Sequence, residues 1–326
     1  MVVSLTLRSW LLVLAALLAP SLASAVTVED LYATSQPVVG SQEAAFVEAL
    51  KTVVIRVSGR RDAPERLGAA LGNARQYVQR YGVTQENVLQ VGFDDVSIER
   101  LLTEAGLPIW GRERPATLVV LSFDDLGGGW LSSDVPPADK ERIAAVAHQR
   151  GLPLLWGTLD PTDQNILAMG EGGAASLAQI ARRNGANAIL VGRGTRGSAL
   201  RWMLASDEGV SQLSGTYEEA IHSTADSFAR LFAAEGSSLT RISVEVSGIT
   251  DLDAYASTLN YLEGMTLVRN VAVEQVAGDT MRFQLAVRGD ASTLQRAIAL
   301  DHRLVPQSQI EASGASAAQL AFRYQK

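Results

Sequence analysis

The chain has 326 residues, 47% hydrophobic and 19% charged, with no cysteine and a formal net charge of −7. This composition argues against a disordered adaptor and excludes disulfide stapling or a cysteine-linked lipid anchor. With no dense Lys/Arg cluster to interrupt the acidic average, it also disfavours nucleic acid and anionic lipid surfaces.

Residues 1–25 read as a secretory signal peptide. Arg8 precedes an apolar run over 10–18, and Pro20 leads into Ala23, Ser24 and Ala25, the small-x-small pattern of a signal-peptidase site. Cleavage is expected after Ala25. The run is too short to span a bilayer and no second one follows, so the expected product is a periplasmic protein without an integral span. Loss of Arg8 takes the basic residues from 28 to 27 against 35 acidic ones, a net charge of −8. The remaining length exceeds what one core usually organises, so two or three domains are expected.

Residues 26–112 read as an α+β domain. Apolar pairs at Ala45/Phe46, Ala49/Leu50 and Val53/Val54 recur every four residues, the stripe of a helix. Val53, Ile55 and Val57 also alternate, which leaves the end of that helix open to a strand before the break at Ser58 and Gly59. A second helical stretch is expected over 71–81, a strand over 88–93 and a short helix through Ile98, Leu101, Leu102 and Ala105.

Residues 113–236 read as a central α/β domain. Continuous apolar runs at 118–121, 154–156 and 188–191 alternate with helical stripes at Ile143/Val146/Ala147 and Leu177/Ile180/Ala181, the pattern of a mainly parallel, buried sheet. Trp156, inside the second run, is expected in the core. Leu200, Trp202 and Leu204 then alternate before a turn at 207–209, a hairpin signal, and a helix closes the domain. Gly236, Ser237 and Ser238 form the best linker candidate, and residues 240–326 are expected to fold on their own. Their order of strand, helix, two strands and helix suits a ferredoxin-like βαββαβ sandwich, with the last strand either at 303–305 or at 320–322.

Arg56, Ser58 and Gly59; Trp110 and Gly111 with Arg114 and Pro115; Arg150 and Gly151 with Asp160 and Asp163; and Gly192 and Arg193 with Trp202 stand in an order and spacing that resembles a bacterial envelope family, domain of unknown function 2066. The resemblance covers roughly residues 26–235. The middle domain is also similar in architecture to the amino-terminal domain of TolB, to CsgG and to lipoprotein activators of penicillin-binding proteins, through the run at 184–192 in which a Gly-Ala helix end precedes an apolar strand and a glycine. That likeness implies a docking module in envelope assemblies.

Catalytic machinery is sparse. The glycines at 192, 194 and 197 form a G-x-G-x-x-G run, but a strand rather than a helix follows, so a dinucleotide cradle is not expected. His148, His222 and His302 lack metal-ligand spacing. Asp124 with Asp125, and Asp160 with Asp163, follow expected parallel strands, where α/β sheets bind ligands. They suit either a cation or hydrolytic site or ordinary turns and helix caps. Trp130, after three glycines, suits an exposed contact anchor or loop packing. The reading is a non-enzymatic envelope protein with no cofactor, no metal and an unidentified protein partner. The alternative is a periplasmic hydrolase or small-ligand binder using Asp124, Asp125, Asp160 and Asp163.

Overall fold

A computed structural model describes residues 26–169, 173–236, 238–307 and 319–325; the expected leader at 1–25 and Ser237 of the expected linker lie outside them. The architecture is mixed α/β, with successive stretches of chain gathered around separate apolar clusters. Among the described residues no helix is long and apolar enough to cross a membrane.

The first unit runs β1 (Val26–Thr27), β2 (Ala33–Pro37), α1 (Gln42–Ser58), α2 (Ala63–Leu67), a 3-10 segment (Gly68–Tyr77), β3 (Val78–Val83), β4 (Val88–Phe93), α3 (Asp95–Glu104) and β5 (Glu113–Arg114). Strands β2, β4 and β3 form an antiparallel sheet, and β5 pairs with β1. Helix α1 starts where Ser41 Oγ accepts from the Ala44 amide at 3.1 Å. Its β-branched end stays helical, because Val53, Val54 and Val57 extend the buried i, i+4 stripe begun by Ala45, Phe46, Ala49 and Leu50. Gly59 ends it at φ 70°, a left-handed cap that disfavours any side chain. The helix expected over 71–81 is corrected. Leu71 and Ala74 bury at the three-residue period of a 3-10 turn, and residues 78–83 instead form ladder hydrogen bonds by pairing Tyr81 with Val91 and Val83 with Leu89.

The second unit comprises β6 (Thr117–Phe123), β7 (Trp130–Leu131), α4 (Pro137–Arg150), β8 (Leu154–Leu155), α5 (Pro161–Met169), α6 (Ala174–Arg183), β9 (Ala188–Gly194), β10 (Leu200–Ser206), β11 (Gly209–Gly215) and α7 (Tyr217–Phe232). Its strand order is β11-β10-β9-β6-β7, with β8 beside the opposite end of β6. Strands β6, β8 and β9 are parallel and the β9-β10-β11 meander is antiparallel, so the sheet is mixed. Helices α4 and α7 cover the face of Val119, Leu121, Leu190 and Trp202; α5 and α6 cover the face of Leu118, Val120, Ile189 and Val191. The run at 154–156 forms only a two-residue strand. Beyond it the chain leaves β6 for β7, with the Gly157 amide donating to Ser132 Oγ at 3.0 Å and the Ser133 amide to the Gly157 carbonyl at 2.9 Å. Trp156 is therefore only partly buried, with the Lys140 ammonium 5.4 Å from its ring centre.

The third unit comprises β12 (Leu239–Ser247), α8 (Leu252–Gly264), β13 (Val268–Ala277), β14 (Thr280–Arg288), α9 (Ala291–Ala299), β15 (Leu304–Pro306) and β16 (Gln319–Tyr324), in sheet order β13-β14-β12-β16-β15. The βαββα order matches the ferredoxin-like expectation, and both candidates for the last strand are strands. The second lies between the first and β12: β16 runs parallel to β12 and β15 antiparallel to β16.

Buried arginines tie the first unit to the second. Arg56, Arg114 and Arg150 are among the largest fully buried side chains. Arg114 donates to the carbonyls of Gly111, Arg150, Gly151, Arg56 and Trp110 at 2.8–3.1 Å. Arg56 donates to the Asp30 and Ala33 carbonyls, both at 2.7 Å, and Arg150 to the Gly59 carbonyl at 2.8 Å and Asp226 Oδ1 at 2.6 Å. Other links reach the third unit. Ile109 and Ala234 exchange backbone hydrogen bonds at 2.9 and 2.8 Å, Glu99 pairs with Arg269 and Arg288, and Asn187 Nδ2 donates to the Leu300 carbonyl at 3.2 Å.

Candidate binding surface on the central sheet

The glycine run at 192–197 belongs to the β9-β10 hairpin. Leu204 pairs with Leu190 and Trp202 with Gly192, and the element that directly follows Gly197 is strand β10, not a helix. A methyl group on Gly192 would overlap the Trp202 ring, whose Nε1 donates to the Gly215 carbonyl at 3.0 Å. Close packing accounts for that glycine, and the helix amino terminus needed by a pyrophosphate is not there.

The two aspartate pairs lie in different settings. Asp160 and Asp163 cap the start of α5 reciprocally: the Asp163 amide donates to Asp160 Oδ1 at 2.8 Å and the Asp160 amide to Asp163 Oδ2 at 3.2 Å. Arg183 of α6 pairs with both carboxylates. Burial raises the Asp163 carboxyl above the ordinary value, opposed by the Asp160 hydrogen bond and the Arg183 charge. Asp124 and Asp125 form an exposed 3-10 turn after β6, where Asp125 lies 3.5 Å from Arg196. Among the described residues, no three His, Cys, Asp or Glu side chains are grouped to hold a metal ion.

Two concave regions stand out. A polar cleft of about 790 Å³ opens beside Arg60, Arg61, Asp226 and Asp290. Several of its charges are engaged internally, Arg60 by Asp62, Arg61 by Asp226, and Asp290 by the amino terminus of α9. The second is a groove of about 540 Å³ on the α5/α6 face of the central sheet, lined by residues of those helices and of β9, β10 and β11. Its apolar side includes Trp130, Ile166, Leu177, Val191 and Met203.

Strand register builds the polar end of this groove. Trp130 pairs with Ser122, Ser122 with Arg193, Arg193 with Arg201 and Arg201 with Ser214, one row across five strands. Arg193 and Arg201 are exposed and sit directly opposite one another, where their Cβ atoms are about 5 Å apart and like charges repel. Neither guanidinium has a hydrogen bond or ion pair among the described residues. The next row is Val191, Met203 and Gln212, and the one after it Ile189, Ala205 and Val210. One flank of the sheet is thus cationic and the adjoining rows are largely apolar.

This groove meets the β11 edge. Over seven residues β11 carries no charge and no proline, and pairs with β10 without a register shift. Other edges are guarded: β3 and β13 by register shifts and by Arg80, Arg269 and Glu274, β2 by Pro37, and β15 by brevity and Pro306. Trp130 is the one sequence-chosen candidate that lines the groove. Arg193, Arg201, Gln212 and Ser214 were missed, although alternation against Leu200, Trp202 and Leu204 places Arg201 and Met203 on the opposite face.

A family model described as a domain of unknown function (DUF8605) matches residues 25–111, so the first unit is similar to an uncharacterised domain. No curated protein and no solved structure matches the chain.

Proposed function

We propose that this chain is an exported, non-enzymatic module of the bacterial cell envelope that acts by binding another protein in the periplasm. The observation that carries the reading is the unguarded β11 edge beside a groove. A free edge offers a row of main-chain donors and acceptors, which a partner strand satisfies by extending the sheet. The leader-like residues 1–25 support export. The resemblance to domain of unknown function 2066, and that of the run at 184–192 to envelope docking domains, supports the same role.

The test is a photo-crosslinking residue placed at Ser211 of β11 in cells exporting the full chain, with a control at Val273 on the guarded edge β13. The expected result is a discrete adduct with another envelope protein from Ser211 alone, lost when Val210→Lys puts a charge on the edge. The same adduct from Val273, or one indifferent to Val210→Lys, overturns the edge as the binding element.

A further inference from the structure

We infer that the partner segment is an acidic, otherwise apolar strand: it extends the sheet beyond β11 with a carboxylate side chain opposite Ser214 and an apolar one opposite Val210. This rests on the interaction-module reading and adds the partner's chemistry. Side chains of an added strand alternate faces, so every second one lies on the groove side, in line with Ser214, Gln212 and Val210. In the Ser214 row the next side chain inward is Arg201, then Arg193. A strand beyond β11 lies two inter-strand spacings, about 10 Å, from β10. Ser214 between them is small, so a long guanidinium arm and a glutamate reaching toward each other can meet across it. That carboxylate relieves the repulsion between two arginines that no side chain of the described chain answers.

The other end of the edge asks for the opposite chemistry. Val210 is exposed and follows buried Ala205 and Ile189 across the sheet, so an apolar neighbour there continues a dry row. A second copy of this chain fits less well. Antiparallel pairing of β11 with itself about Gln212 places Val210 opposite Ser214 and leaves both arginines unanswered.

The test uses the full exported chain and two labelled synthetic peptides of about nine residues that alternate threonine and valine. One carries a single glutamate at the position that faces Ser214; the other carries lysine there. Anisotropy is expected to show the glutamate peptide binding about tenfold more tightly at low salt, an advantage that shrinks as salt is added. Arg201→Gln should abolish the advantage and Arg193→Gln reduce it, while Val210→Lys abolishes binding of both peptides; circular dichroism checks that each exposed-site variant stays folded. Equal binding of both peptides, still lost in Val210→Lys, overturns the acidic preference and leaves the edge reading intact. No binding by either overturns the strand-addition inference, while the cellular crosslink judges the module reading separately. Concentration-dependent dimers crosslinked through Ser211 make the occupant a second copy, and displacement by phosphatidylglycerol vesicles makes it a lipid surface; either overturns the proposal.

Discussion

The Arg114 guanidinium lies 3.8 Å above the centre of the Trp110 ring while its nitrogens reach five backbone carbonyls. The cation is fully buried and, among the described residues, no hydrogen bond joins it to a carboxylate; burial drives its pKa well below the ordinary value, and the neighbouring Arg56 adds to the effect. The carbonyls belong to α1, to the segment before β5 and to the end of α4, so one planar fork satisfies three pieces of chain at once.

Arg114→Met should therefore cost about 3–5 kcal/mol, because several buried carbonyls lose their donors together. Arg114→Lys should recover little of it, since an ammonium cannot reproduce the planar fork. Urea unfolding of the purified chain measures both. A methionine variant as stable as the parent would mean that desolvating the cation offsets everything its hydrogen bonds contribute.

His222 predicts a pH response. Burial first, and the Arg150 charge second, hold its imidazole below the ordinary value of 6.5, and Arg150 Nη1 donates toward its Nδ1 at 3.1 Å. The unfolded chain thus takes up this proton at a higher pH than the folded one. Stability is unaffected above that range and falls as pH drops through 6.5 toward the lower folded value. His148 acts in the same direction, chiefly through burial. The melting temperature should decline between about pH 7 and pH 5, and His222→Gln should flatten part of that decline. Asp94 and Asp290, held below 3.8 by hydrogen bonds, lose their contributions only at lower pH. An unchanged slope in His222→Gln would assign the decline elsewhere.

Export predicts that the mature chain begins at Val26. Amino-terminal sequencing of the protein recovered from periplasmic contents should read Val26, Thr27, Val28. An intact Met1 with retention in the inner membrane would make residues 1–25 an anchor.

Local periodicity revealed what local periodicity builds. The i, i+4 stripe of α1, the buried runs of β6 and β9, and the β10-β11 hairpin were all legible, and Asp160 with Asp163 was readable as a helix cap. Features set by distant pairing were not. Residues 78–83 become a strand only because β4 lies beside them, and β16 takes a place between β12 and β15 that no local pattern signals. The candidate surface fell between the two cases. Trp130 drew notice as either an exposed anchor or loop packing, and it is partly buried against the α5/α6-face cluster, but the Arg193–Arg201 row depends on how many residues the β9-β10 turn contains, since a shift of one residue moves Arg201 to the other face.

The last prediction concerns Gly192 and Trp202, paired across β9 and β10. Trp202 is buried, its ring fills the space where a Gly192 side chain would stand, and it meets the Tyr217 ring edge-on at 6.1 Å. Trp202→Ala should cost about 3–5 kcal/mol through the cavity it leaves. Gly192→Ala should cost about 1–3 kcal/mol by driving a methyl group into the ring. If the contact explains the glycine, the two effects are coupled: in a Trp202→Leu background Gly192→Ala should become nearly neutral, and a double-mutant cycle in urea measures the difference. A dinucleotide should leave the melting temperature of the parent unchanged, because the hairpin presents no helix amino terminus to a pyrophosphate. Strictly additive costs, together with a nucleotide-dependent rise in melting temperature that Gly194→Val removes without unfolding the chain, would return the glycine run to the role its pattern suggests.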